Sequence, residues 1–165
     1  MKVEKFVEAI IGVPKNYKGL LPKWVKDFYK IEIKRNNKSI YPHELVKLGD
    51  YEFELTISGF SFNQEVIIHG NRLYWGCRDT DKLVCNLDTS EVYLIDGLNE
   101  GLLYILSNEY TIFLEILVEI AQYEFKGYLG KSYNQSDRDE ILNFCLLRLP
   151  SQCHKFYEDS YGHLE

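Results

Sequence analysis

Cysteine is scarce in this 165-residue chain, and the four present, Cys77, Cys85, Cys145 and Cys153, are widely spaced. That spacing excludes a disulfide framework and leaves the thiols as reduced, apolar side chains. No Cys-x-x-Cys or His-x-x-x-His pattern occurs, the histidines His43, His69, His154 and His163 are dispersed, and Cys153-His154 would diverge on a helix, so no metal site is expected. No apolar run approaches membrane-spanning length, which argues against a membrane role. The opening stretch Met1-Lys2-Val3-Glu4-Lys5-Phe6-Val7-Glu8 mixes charge with apolar residues and lacks the apolar segment and cleavage site of an export signal. A glycine-rich phosphate loop is also missing, since Lys126-Gly127-Tyr128-Leu129-Gly130-Lys131 has the wrong spacing. The expectation is a cytoplasmic protein with no cofactor.

Basic residues are scarcest in the middle. From Asp50 to Glu124 there are fourteen acidic residues against three basic ones, Arg72, Arg78 and Lys82, a formal charge of −11 in a chain whose total is −6. A folded surface this acidic repels phosphate backbones and steers basic proteins toward itself, so the expected partner is a basic protein and not nucleic acid. The excess of positive charge lies earlier: residues 15–38 hold seven lysines and Arg35, interleaved with Tyr17, Trp24, Phe28 and Tyr29. That texture admits a nucleic-acid patch, but charge runs are usually solvated faces, and the favoured reading is a solvated segment that offsets the acid elsewhere.

Aromatics, by contrast, are plentiful at 15 % of the chain, thirteen of them tyrosines, within a 45 % hydrophobic composition that suits one domain with a sizeable core. Val3, Phe6, Val7 and Ile10 recur at helical spacing until Gly12 and Pro14. Leu20 to Tyr29 reads equally as a helical turn or an extended segment. From Tyr51 to Ile57 the period becomes two, which predicts a strand, and Glu65–His69, Arg72–Cys77, Lys82–Leu87 and Glu91–Ile95 follow as further strands joined by Gly70-Asn71, Asp79-Thr80-Asp81 and Asp88-Thr89-Ser90. The expected sheet is an antiparallel meander. A helix follows, with Ser107 as its predicted cap and Tyr110, Phe113, Leu114, Leu117, Val118 and Ala121 on the face that covers the sheet.

Two turns invite catalytic or metal interpretations. Asp88-Thr89-Ser90 is the kind of turn aspartic proteases use in duplicate, but it occurs once. Asp79-x-Asp81 lacks the glycine and the distal glutamate of a calcium loop. Both are read as solvated hairpin turns, and no catalytic residue is expected.

The order of a helix, Ile11-Gly12-Val13-Pro14, Leu48-Gly49-Asp50, a strand meander containing Cys85-Asn86-Leu87-Asp88-Thr89-Ser90-Glu91-Val92, and Leu106-Ser107-Asn108-Glu109-Tyr110 entering Phe113-Leu114 resembles the SUKH superfamily. That superfamily takes in fungal cell-wall assembly regulators, the bacterial Syd proteins and many immunity proteins encoded beside bacterial toxins. The likeness covers residues 3–125. Ser90 stands where family members often have glycine, and Val13-Pro14 where they have Leu-Pro. The resemblance implies an α+β fold, a twisted, largely antiparallel sheet of about five to six strands packed by N-terminal and C-terminal helices, with residues 126–165 as a helical extension of a single domain.

It further implies a non-enzymatic immunity protein that binds a cognate toxin, encoded next door and basic, of which a nuclease is one possible kind; a regulatory scaffold is the alternative, and a nucleic-acid binder through residues 15–38 a further one. The chain itself is expected to be a monomer or a weak dimer. Strand and helix acids such as Glu52, Glu54, Glu115, Glu119 and Glu124 are what any solvated face requires. The turn acids Asp79, Asp81, Asp88, Glu91, Asp96 and Glu100 are the candidate partner-binding residues, with Trp75, and beside it Tyr74 and Tyr93, as candidate aromatic anchors.

Overall fold

The computed structural model describes residues 1–16, 23, 31–33, 43–53, 55–129 and 134–162. The basic stretch 15–38 and the stretch from Leu20 to Tyr29 therefore lie almost wholly outside the described residues. Among those described, helix α1 spans Val3–Gly12 and buries Val3, Phe6, Val7 and Ile10, the residues its spacing predicts. Strand β1 (Ile31–Ile33) pairs antiparallel with β2 (Tyr51–Phe53). Between them in sequence, a 3-10 turn at Glu44–Asp50 starts where the His43 Nδ1 accepts a hydrogen bond from the Leu45 N–H at 3.2 Å.

Five strands form the main sheet in the order β3 (Phe60–His69), β4 (Arg72–Arg78), β5 (Asp81–Asn86), β6 (Val92–Ile95) and β7 (Leu102–Ser107), all antiparallel. The expected meander is present, and the α+β class with it. The strand predicted over Tyr51–Ile57 is shorter, ending at Phe53, because Ile57 turns back and exchanges backbone hydrogen bonds with Phe60 at 3.1 and 2.9 Å. Strand β7 was not anticipated: Leu102-Leu103-Tyr104-Ile105-Leu106 is apolar throughout, so it shows no alternation to read.

Helix α2 (Tyr110–Tyr128) lies against the sheet. Ser107 is not its cap; the cap position is Glu109, and the Ser107 hydroxyl instead accepts from the Glu109 N–H and donates to its carbonyl while itself fully buried. Ile116, Ile120 and Tyr123 are buried as well as the expected face, because α1 and helix α3 (Gln135–Arg148) both pack on α2. A capping box opens α3: Asn134 Oδ1 accepts from the Asp137 N–H at 2.8 Å, and the Asp137 carboxylate accepts from the Asn134 N–H. Helix α4 (His154–Tyr161) then returns to the sheet, where the buried Tyr157 hydroxyl donates to the Leu106 carbonyl at 2.9 Å.

One core results. Phe60, Phe113, Trp75 and Phe156 meet there with ring centroids 5.6–5.8 Å apart. Phe156 and Tyr157 come from the segment after residue 125, so the tail closes the same core as the meander.

Candidate functional site

In a meander, alternate turns fall at the same end of the sheet. The β4–β5 turn with Asp79 and Asp81 and the β6–β7 loop with Asp96 and Glu100 therefore share one end, while the β5–β6 turn with Asp88 and Glu91 lies at the other. The six candidate acids are thus split into a group of four and a group of two. Within the larger group the two turns touch: the Gly97 N–H donates to Asp81 Oδ1 at 3.4 Å, and a Cβ at Gly97 would stand 2.0 Å from the Thr80 carbonyl oxygen. Only glycine permits that approach.

Several of these acids are already engaged. Asp96 accepts from the Leu98 and Asn99 N–H groups at 2.7 and 3.0 Å, which shapes its loop and holds its carboxyl below the usual range, the Asn99 bond contributing most. Glu100 pairs with Lys82 at 3.1 Å and more loosely with Arg72 at 4.0 Å. Asp88 accepts from the Asn71 side chain, and Glu91 from the Thr89 hydroxyl. Trp75 is 0 % exposed and packs on Phe62 and Phe113, so it is a core ring and not a surface anchor. Tyr74 and Tyr93 lie partly exposed on the sheet face opposite the helices.

The same end of the sheet holds a cleft of about 570 Å3 that joins Asp79 to Ser58, Arg78, Tyr104, Glu124 and Asp159. Its floor is the turn Ser58-Gly59, in which both residues have positive φ, 54° and 75°, the geometry of a tight hairpin turn. Glycine at position 59 leaves room for Arg78, whose Nε lies 3.3 Å from where a Cβ would be. The Arg78 guanidinium rests on Phe156 and Phe60, 5.0 and 6.0 Å from their ring centres.

Glu124 reaches the turn from α2. Both its oxygens accept from the Ser58 N–H, at 3.0 and 3.2 Å. It is therefore not the ordinary solvated helix acid expected from its sequence position: burial pushes its carboxyl up to about 7, against the opposing pull of the Ser58 N–H and Arg78. The far wall comes from α4. Ser58 Oγ and the Tyr161 hydroxyl are hydrogen-bonded at 2.8 Å in a buried pair, and burial raises the Tyr161 hydroxyl far above its ordinary value. The Tyr104 hydroxyl donates to Asp159 Oδ2 at 3.1 Å.

The Asp79 and Asp159 carboxylates, with Glu124 adding charge only as pH rises past about 7, outweigh the one Arg78 guanidinium and suit this concavity to a cationic group. Its lining contains no histidine or cysteine, and of its two serines, Ser58 and Ser160, the first has its hydroxyl tied to Tyr161. Among the described residues, no group of three His, Cys, Asp or Glu side chains is placed to hold a metal ion, and no helix is long and apolar enough to cross a membrane. Sequence reasoning missed Ser58, Arg78, Glu124, Asp159 and Tyr161 because they come from four separated segments. The Ser58-Gly59 pair was the one local signal.

Compared with protein-family models, with curated proteins and with solved structures, the chain gives no significant match.

Proposed function

We propose that this chain is a SUKH-like immunity protein that neutralises a basic toxin by covering the toxin's working groove with its acidic end. The observation that carries the proposal is the convergence of the turns bearing Asp79, Asp81 and Asp96 on the end of the sheet where Asp79, Glu124 and Asp159 line a cleft; Glu100, in the same loop, turns its carboxylate to Lys82 and Arg72. An acidic concavity on a rigid sheet favours rapid capture of a cationic surface and discriminates against wrong partners by charge. A nuclease groove, which is basic because it holds phosphates, is a surface of that kind. The order of elements resembles the SUKH pattern, and the hydrogen bonds that occupy Glu124 and Ser58 suit a fixed binding surface more than a reacting one.

The test is co-expression with the product of the adjacent gene, followed by purification. Protection of the cells together with a stoichiometric complex is expected. A harmless neighbour and no complex would overturn the immunity assignment and favour a regulatory scaffold. The surface is tested separately with Asp79→Asn and Asp159→Asn, which remove charge without touching the loop-shaping bonds of Asp81 and Asp96. The pair should slow association by roughly tenfold at low salt. Unchanged association with an intact fold would move the interface elsewhere.

A further inference from the structure

An antiparallel sheet with one face open to water ordinarily alternates apolar residues inward with polar ones outward. Directly paired residues share a face. The inward row Leu73, Cys85, Val92 and Ser107 is fully buried in the core. The neighbouring row runs across all five strands on the opposite face, as Ile67, Tyr74, Val84, Tyr93 and Ile105. Beside it, Lys82, Ile95 and Leu102 form part of a second row. Val84 and Ile95 are buried yet stand outside the main core cluster. The outer face therefore exposes apolar side chains at its two margins, Ile67 56 % and Leu102 61 % exposed, while Val84 and Ile95 are buried between them and Lys82 lies over the Tyr74 ring and pairs with Glu100.

Its shape and charge are complementary to themselves. At one side, between β6 and β7, a hollow of about 310 Å3 is lined by Tyr93, Ile95, Leu102 and Ile105 together with the charged Glu91, Glu100 and Arg72, the last two 4.0 Å apart. At the other side Ile67 projects from β3 in the same row as Tyr93 and Ile105. A twofold axis laid along the central strand β5 exchanges β3 with β7 and β4 with β6. It carries Ile67 of one copy over the hollow of the other. It also carries Arg72, which sits opposite Asn86 in the register, over the start of β6, where the Glu91 carbonyl accepts from the Asn86 N–H. Positive and negative rims thus meet twice, once on each side of the axis.

We propose that this chain forms a twofold dimer through the outer face of the sheet, with Ile67 seated in the partner copy's Tyr93, Ile95, Leu102 and Ile105 hollow and Arg72 paired with the partner copy's Glu91. The acidic end is a poor candidate for self-association because like charges would meet there; this face carries Arg72 and Lys82 against Glu91 and Glu100. Five strands at about 4.8 Å spacing, with about six residues each, give a face roughly 24 Å by 20 Å, or about 480 Å2 per copy, the size of a weak, transient interface. Micromolar association follows.

Sedimentation equilibrium of the full chain from about 1 to about 200 µM, spanning the micromolar range expected for such an interface, should show a mass moving from 19.5 kDa to twice that value. Ile67→Asp and Leu102→Asp, both at exposed positions, should weaken association by at least roughly tenfold while circular dichroism is unchanged. Arg72→Glu should weaken it similarly, and combining it with Glu91→Arg in the same chain should restore it. A chain monomeric at every concentration would overturn the proposal, as would a dimer indifferent to Ile67→Asp and Leu102→Asp. Rescue failure in the double reversal, with the apolar variants behaving as expected, would overturn the proposed axis.

Discussion

Glu124 imposes a pH dependence on folding that is opposite in sign to that of most carboxylates. Its carboxyl rises from the ordinary 4.5 to about 7 in the folded chain because the helix position between Ser58 and the tail is desolvated. Between those two values the native state holds a proton that the unfolded chain has released. Stability contributed at this position is therefore fully present below pH 4.5 and is lost as pH rises through 7. At about 1.4 kcal/mol for each tenfold change in proton affinity, the ionised group costs on the order of 3 kcal/mol above that window, a sizeable share of the roughly 5–15 kcal/mol that holds a domain together. Glu124→Gln keeps a carbonyl oxygen for the Ser58 N–H and cannot ionise. Urea unfolding of both proteins from about pH 4.5 to about pH 8.5 measures the difference directly. The two should be nearly equal at the acid end, and the variant should be more stable by on the order of 2–3 kcal/mol at the alkaline end. A difference that stays constant with pH, or one that grows toward acid, would refute the assignment of a desolvated Glu124.

Gly97→Ala should destabilise the chain by about 1–3 kcal/mol in the same unfolding assay, because the new Cβ would lie 2.0 Å from the Thr80 carbonyl oxygen and force the two acidic turns apart. Ser90, with φ 66°, occupies the left-handed region; Ser90→Gly should relieve that strain and stabilise by about 0.5–1 kcal/mol, read as a rise in thermal midpoint. Burial pushes the thiols of Cys85 and Cys145 up to about 12 and that of Cys153 up to about 11, and all three are fully buried. A thiol-specific chromogenic reagent at neutral pH should reach them only as fast as the protein unfolds, and rapid native-state labelling of these three sites, located by mass spectrometry, would contradict their placement.

Ser90 shows how far the sequence leads and where it stops. Its position in the turn is legible from Asp88-Thr89-Ser90, but the left-handed backbone is imposed by the hairpin: the Ser90 N–H bonds the Asn86 carbonyl and the Asn86 N–H bonds the Glu91 carbonyl, both at 2.8 Å. Turn residues announce a turn. The strands on either side decide its conformation.

Local pattern alone specified the α1 face, the meander from β3 to β6 and the concentration of acid between Asp50 and Glu124, because period, turn chemistry and charge are properties of neighbouring residues. The sheet's uniformly apolar last strand carried no such period and became recognisable only beside β6. The split of the six turn acids between two ends of the sheet followed from strand order, and the burial of Trp75 from the meeting of β4 with α2. The cleft was decided by tertiary structure: Ser58 from the turn before β3, Arg78 from β4, Glu124 from α2 and Asp159 from α4 are distant in the chain, and it is packing, by removing water from Glu124 and drawing these segments together, that turns four unremarkable polar residues into one site.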